Sequence, residues 1–191
     1  MKRLLFAVFA VMFACGVSLA ADKAGAKKED AKGGDKAKKV VLLNFSKGDQ
    51  FNAGDGMASQ SLSEEHLTGN EKMRMKVTGN AGINGLTKNV DWSKFNYLVF
   101  NAFLTGDKPW SGMMLLGDKQ SYAKWGRNYV ETSFSLKPGE NKEVHIGIEG
   151  LYSSYASRAL EMTNMQCFIV YGEQKLPETY FGNFYLVYEE E

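Results

Sequence analysis

The chain has few cysteines, histidines and prolines: two, two and three in 191 residues. Cys15 sits in an apolar N-terminal run, so Cys167 would stand alone in the rest of the chain and no internal disulfide can form there. Cys167 lies in "MQCFIVYG", apolar almost throughout, and reads as a small buried hydrophobe rather than a nucleophile. Two histidines, His66 and His145, are too few for a histidine-based metal site, and His145 in "EVHIGI" is expected to face solvent. There is no G-x-S-x-G, no H-E-x-x-H and no P-loop, and no internal repeat at any period. "KGDQFNAGDG" gathers Asp49, Asn52 and Asp55 but lacks the ligand ladder of a calcium loop, so it reads as Asx-type turn chemistry. No carboxylate pair can be placed at glycosidase spacing from sequence. The expectation is no enzyme, no cofactor and no metal.

Excess charge of one sign is also lacking. The whole chain carries +1, but residues 1–39 hold nine cations and four acids, which leaves residues 40–191 at −4. A mildly acidic domain argues against nucleic acid, which would need a basic face. Only one long apolar run exists. "MKRLLFAVFAVMFACGVSLA" has two cations, an apolar stretch, then Ser18 and Ala20 at small-residue positions, the pattern of a signal peptide cleaved after Ala20. The run falls short of a bilayer span of about 20 residues, so stable membrane insertion is not expected. Cys15 raises a lipoprotein alternative, against which Phe13 stands where such signals carry a small residue. Export in a bacterial style, to the periplasm or beyond, is the expectation. Residues 21–39, "ADKAGAKKEDAKGGDKAKK", lack aromatic and β-branched residues and read as a solvated tether.

What is present in residues 40–191 is strand pattern. "VVLLNF" (40–45), "EKMRMKV" (71–77), "FNYLVFNAFL" (95–104), "GMMLLG" (112–117), "YVETSFSL" (129–136), "EVHIGI" (143–148), "MQCFIVYG" (165–172) and "YFGNFYLVY" (180–188) read as strands between Gly-, Asp- and Pro-containing turns. "LYSSYASRALEM" (151–162) is expected to form one or two helical turns. Short, frequent strands with almost no helix indicate an all-β fold, an antiparallel β-sandwich of jelly-roll type, in one domain. Leu98 and Phe100, two apart on one strand, should be buried together.

The order of "LLNF", "DWSKFNYLVFNAF", "SLKPGENKEVHIGI", "SRALEM" and "ETYFGNFYLVY" resembles the galactose-binding-like jelly roll, and is most similar to carbohydrate-binding modules and related uncharacterised bacterial secreted domains. The resemblance covers nearly all of residues 40–191. It implies binding of a polysaccharide or glycan without cleavage. It also implies a test for calcium: the resembled modules often hold a structural ion with an acid just after the first strand's Phe and another in the last strand. Here Ser46 and Asn183 occupy those positions, so no calcium is expected there.

Nine Tyr, three Trp and nine Phe in the domain supply the rings a sugar face would stack on. Trp92, just after Asp91 and before a strand, reads as a structural plug. The rings of "YFGNFYLVY" lie on both faces of their strand, one of which must be core. Trp110 in "TGDKPWSG" is expected to be partly exposed. "GDKQSYAKWGRNY" (117–129) combines Asp118, Tyr122, Trp125, Arg127 and Tyr129, and in the resembled domains this connection lies at the rim of a sheet. The candidate ligand contacts are therefore Trp110, Asp118, Tyr122, Trp125, Arg127 and Tyr129. The competing reading is that Asp118 and Arg127 pair across the loop neck and Trp125 plugs the core. Trp125→Ala separates the two: roughly tenfold weaker binding with an unchanged melt, or a stability loss of about 3–5 kcal/mol. A monomeric glycan-binding module is the first expectation. A structural or adhesive domain holding a protein partner is the second, and a jelly-roll polysaccharide lyase or hydrolase the third.

Overall fold

A computed structural model describes residues 38–51, 59–79, 83–86, 90–123 and 128–190; for 83–86 and 122–123 only the backbone is described. The expected signal peptide and all but the last two tether residues lie outside these spans. In chain order the elements are β1 (Lys38–Leu43), β2 (Ser59–Ser63), β3 (Arg74–Gly79), β4 (Ile83–Leu86), β5 (Tyr97–Leu104), β6 (Trp110–Asp118), α1 (Lys119–Ala123), β7 (Val130–Leu136), β8 (Gly139–Gly147), β9 (Tyr152–Ser153), β10 (Arg158–Ala159), β11 (Met165–Tyr171) and β12 (Leu176–Tyr188).

All pairings among the described residues are antiparallel. One sheet runs β2-β3-β12-β5-β8 with β1 also paired to β12, and the other runs β4-β11-β6-β7. The fold is the antiparallel β-sandwich read from the pattern. Two strands of the sandwich sheets escaped that reading. β2, "SQSLS", carries one large apolar residue, and β4, "INGL", has a glycine that weakens a strand signal.

Residues 151–162 correct the helical expectation. They form the small β9–β10 ladder, Tyr152 opposite Ala159 and Ser153 opposite Arg158, before a 3-10 turn at Met162–Asn164. Ser157 stands at φ 52°, a left-handed residue that turns the chain back where a helix would have continued. Within the described residues the one α-helix is α1, inside the loop that was read for function.

The core lies between the sheets and is built from phenylalanine. Leu98 and Phe100 are both fully buried, as their shared parity requires. Phe184 of β12 stacks on Phe100 at 4.7 Å and on Phe168 of the opposite sheet at 5.0 Å. Phe181 faces the core too, although three positions away should reverse a strand's facing. The register shift between Phe181 and Phe184 inserts an extra residue, and that bulge lets both rings point inward. Trp92 is fully buried, consistent with a structural plug, and the Asp91 carboxylate accepts the Ser93 N–H to start its 3-10 turn.

Candidate functional site

β6 explains why two of the expected contacts separate. Trp110 opens the strand and Asp118 closes it, so at about 3.3 Å per residue they stand roughly 25 Å apart. Trp110 is 2% exposed, which corrects its expected exposure. The strand starts two residues earlier than the pattern suggested, which gives Trp110 the inward parity of Met114 and Leu116. Gly112 and Gly172 make room for the indole, since a Cβ at either would approach it within 2.2 Å and 2.7 Å. The ring packs against Phe134 at 5.9 Å.

Asp118 is fully buried and its two oxygens are heavily used. Arg158 Nη1 donates to Oδ2 at 2.6 Å and Nη2 to Oδ1 at 2.8 Å, a bidentate pair. The Ser121 N–H donates to Oδ1 at 2.8 Å, making Asp118 the cap of α1, and the Glu161 N–H donates to Oδ2 at 2.9 Å. Burial alone would favour the protonated acid, but Arg158 and these backbone N–H groups outweigh it and hold the carboxyl well below the usual range. Asp118 thus has a partner in Arg158, from the hairpin some forty residues on. Asp118 anchors the rim and has little capacity left for a ligand. Arg127 and Trp125 lie outside the described residues, as does the side chain of Tyr122.

Arg158 reaches further, its Nε donating to Asn128 Oδ1 at 2.8 Å. The strand end, α1, Asn128 and the β9–β10 hairpin are thereby fastened together. On that fastened frame stand tyrosines. Tyr129 is half-buried and lies 6.4 Å, ring to ring, from Tyr155. Tyr152 and Tyr155 on the hairpin are 57% and 60% exposed, the two most exposed large hydrophobic side chains described. Tyr171 of β11 donates its hydroxyl across β6 to the Glu131 carboxylate on β7. Burial first, then the hydrogen bond and charge of Glu131, raise the Tyr171 phenol above its usual value.

Of the sequence candidates, the structure brings Asp118 and Tyr129 to this rim and takes Trp110 away. It adds Tyr152, Tyr155, Tyr171, Glu131 and Arg158. Tyr152 and Tyr155 were hidden by the helical reading of their segment, and Arg158 was visible in "SRALEM" but without a partner. Cys167 is fully buried beside Gly117 and Ser121, and burial and then Asp118 push its thiol up to about 11. Both histidines belong to the outer face of the other sheet, His66 stacked on Phe103 at 3.7 Å and His145 3.2 Å from Glu189. At the position read for calcium, Asn183 Oδ1 accepts the Phe45 N–H at 2.9 Å. Among the described residues no group of three His, Cys, Asp or Glu side chains is placed to hold a metal ion, and no helix is long and apolar enough to cross a membrane.

No protein-family model and no curated protein sequence matches the chain. Solved structures do. A family 11 carbohydrate-binding module from Clostridium thermocellum, in complex with a β-1,3-1,4-mixed-linked tetrasaccharide, has a TM-score of 0.64 at 16% identity, covering 80% of this chain and 97% of that one. The family 11 module of a cellulosomal cellulase from the same organism gives 0.59 at 14% identity, covering 82% and 98%. A family 27 module of Caldicellulosiruptor saccharolyticus, in complex with mannohexaose, gives 0.50 at 12%, covering 82% and 100%. At these identities the likeness is one of fold. The chain has the jelly-roll sandwich of carbohydrate-binding modules, the architecture its sequence resembles.

Proposed function

We propose that this protein is an exported, non-catalytic glycan-binding module that contacts polysaccharide through the tyrosine rim at the end of the four-stranded sheet. The observation that carries the reading is the pair Tyr152 and Tyr155, more than half exposed on a two-strand hairpin that Arg158 locks to a buried carboxylate. Covering the apolar surface of an exposed ring removes it from water at a gain, and the apolar C–H face of a sugar is a fitting cover, worth about 0.5–1.5 kcal/mol per stack beyond area burial. A ring already held in place loses little conformational entropy on binding. Tyr129 completes the platform, and Tyr122, Trp125 and Arg127, which precede it closely in sequence, are further proposed contacts. Asp118 and Arg158 position the rim without touching the sugar.

Residues 1–20 act as the export signal and residues 21–39 as a spacer, delivering a monomeric domain to the periplasm or the cell exterior. The oligosaccharides bound by the similar modules are the natural first probes. Pull-down of the full chain on insoluble polysaccharides, followed by titration with mixed-linked tetrasaccharide and mannohexaose, tests the reading. Retention on at least one polysaccharide, relieved by soluble oligosaccharide, supports it. No retention on a broad panel, with capture of a protein partner instead, contradicts it.

A further inference from the structure

The outer face of the six-stranded sheet carries a second constructed feature, centred on Asn101 of β5. Both strands beside β5 bulge opposite this one residue. On β8 the register passes from Val144 opposite Phe100 to Asn141 opposite Ala102, leaving Lys142 and Glu143 both facing Asn101. On β12 it passes from Phe184 opposite Phe100 to Phe181 opposite Ala102, leaving Gly182 and Asn183 there. A bulge re-aims the side chain of its extra residue, and two bulges flanking one position in the middle of a sheet open a gap in the ladder.

The gap is a pocket of about 490 Å³, within the range of small-ligand sites. Asn101 lines it together with the bulge residues Lys142, Glu143 and Asn183, with Tyr185 and Lys39 alongside. Its groups are held in place. Asn101 Oδ1 accepts the Glu143 N–H at 2.9 Å and its Nδ2 donates to Glu71 Oε1 at 3.1 Å. Glu71 is braced from behind by the fully buried Arg74, whose Nε donates at 2.8 Å. Gly182 leaves the space that Glu71 fills, since a Cβ there would lie 2.3 Å from Glu71 Oε1 and displace it. Glu143 sits at φ 48°, a strained conformation for a residue with a side chain, kept while Lys142 and Glu143 line the opening.

The geometry points to a second ligand site, taking one neutral saccharide unit, on the sheet opposite the tyrosine rim. The chemistry of the lining selects the class. Two carboxylates, Glu71 and Glu143, balance two ammonium groups, Lys39 and Lys142, so the pocket has no net charge with which to hold a free ion. Beyond the groups engaged in the bonds above, it offers a donor and an acceptor together, the Lys142 ammonium and the Glu143 carboxylate, beside the Tyr185 ring, over which the Lys39 ammonium lies at 3.8 Å. Paired donor and acceptor are what a polyhydroxylated neutral ring requires. The location rests on the double bulge alone; the ligand class rests also on the glycan-binding reading. The protein is then bivalent, engaging chains on opposite faces.

The test is a titration of the ¹⁵N-labelled full chain with cellohexaose and with mannohexaose. Saturable shifts are expected at the Asn101 and Asn183 side-chain amides and the Glu143 and Tyr185 backbone amides, with an affinity separate from that at Tyr155 and Tyr171. Glu143→Gly removes a wall carboxylate while relieving the left-handed strain, so it should weaken the first set about tenfold, the scale of one charge-assisted hydrogen bond, with no loss of melting temperature. Lys142→Ala should do the same from the other strand position. Shifts confined to the tyrosine rim, or an affinity that neither variant alters, overturn the second site and leave the glycan-binding reading standing. Shifts confined to the Asn101 set support the pocket and remove the rim. No shift in either set overturns both.

Discussion

Each face of the sandwich is organised around an arginine–carboxylate knot, and the two knots are built in opposite senses. On the six-stranded sheet Arg74 is the fully buried member, shared between Glu71 and Glu140, whose side chains are 8% and 22% exposed. At the end of the four-stranded sheet the carboxylate of Asp118 is fully buried and Arg158 keeps 21% exposure. A buried cation with two anions has a reserve partner if one is lost. A buried anion with one cation has none. The difference teaches that a charged residue beside exposed rings can serve to position them: Asp118 is the pin on which the tyrosine-bearing hairpin hangs.

The largest effect should come from stranding the buried anion. Arg158→Met is expected to cost about 3–5 kcal/mol, because it leaves an uncompensated buried carboxylate. Glu140→Gln, which leaves Arg74 paired with Glu71, should cost about 1–2 kcal/mol. Chemical denaturation of the two variants checks the ranking, and equal costs would break the comparison. Phe100→Ala, in the core beneath both faces, should also cost about 3–5 kcal/mol without favouring either knot.

Acid sharpens the comparison next. Asp118 and Glu71 both have carboxyl groups held below their ordinary values; in each case burial opposes the shift, and hydrogen bonds from Arg158 and backbone N–H groups, or from Arg74 and Asn101, overcome it. Since the unfolded chain takes up those protons first, the stability they contribute is complete above the ordinary carboxylate pKa of about 4 and is lost as pH falls below it. A melting temperature flat from pH 5 to 7 and falling below pH 4 is expected, with a shallower fall in Asp118→Asn. A rise on acidification would contradict the assignment.

The fold was legible because alternation and turn residues survive in the strands that face the Phe184 core. The rim was legible only in part. Asp118 and Tyr129 were marked by composition, but burial of Asp118 depends on Arg158, forty positions away, and no local pattern announces that pair. Trp110 misled because a strand that begins after a proline turn was read as part of the turn. Tyr152 and Tyr155, spaced three apart like neighbours on a helix, masked a hairpin whose turn is set by Ser157. The double bulge at Asn101 leaves no trace in the pattern, since it is a mismatch between three strands rather than a property of one.

Tyr155→Ala tests the central claim most directly, by one polysaccharide pull-down and one thermal melt against the wild type. Because the ring is 60% exposed, the melting temperature should be nearly unchanged. Retention should fall roughly tenfold, the scale of one stacking contact and its buried area. Undiminished retention with an unchanged melt would contradict the proposed contact between the tyrosine rim and polysaccharide.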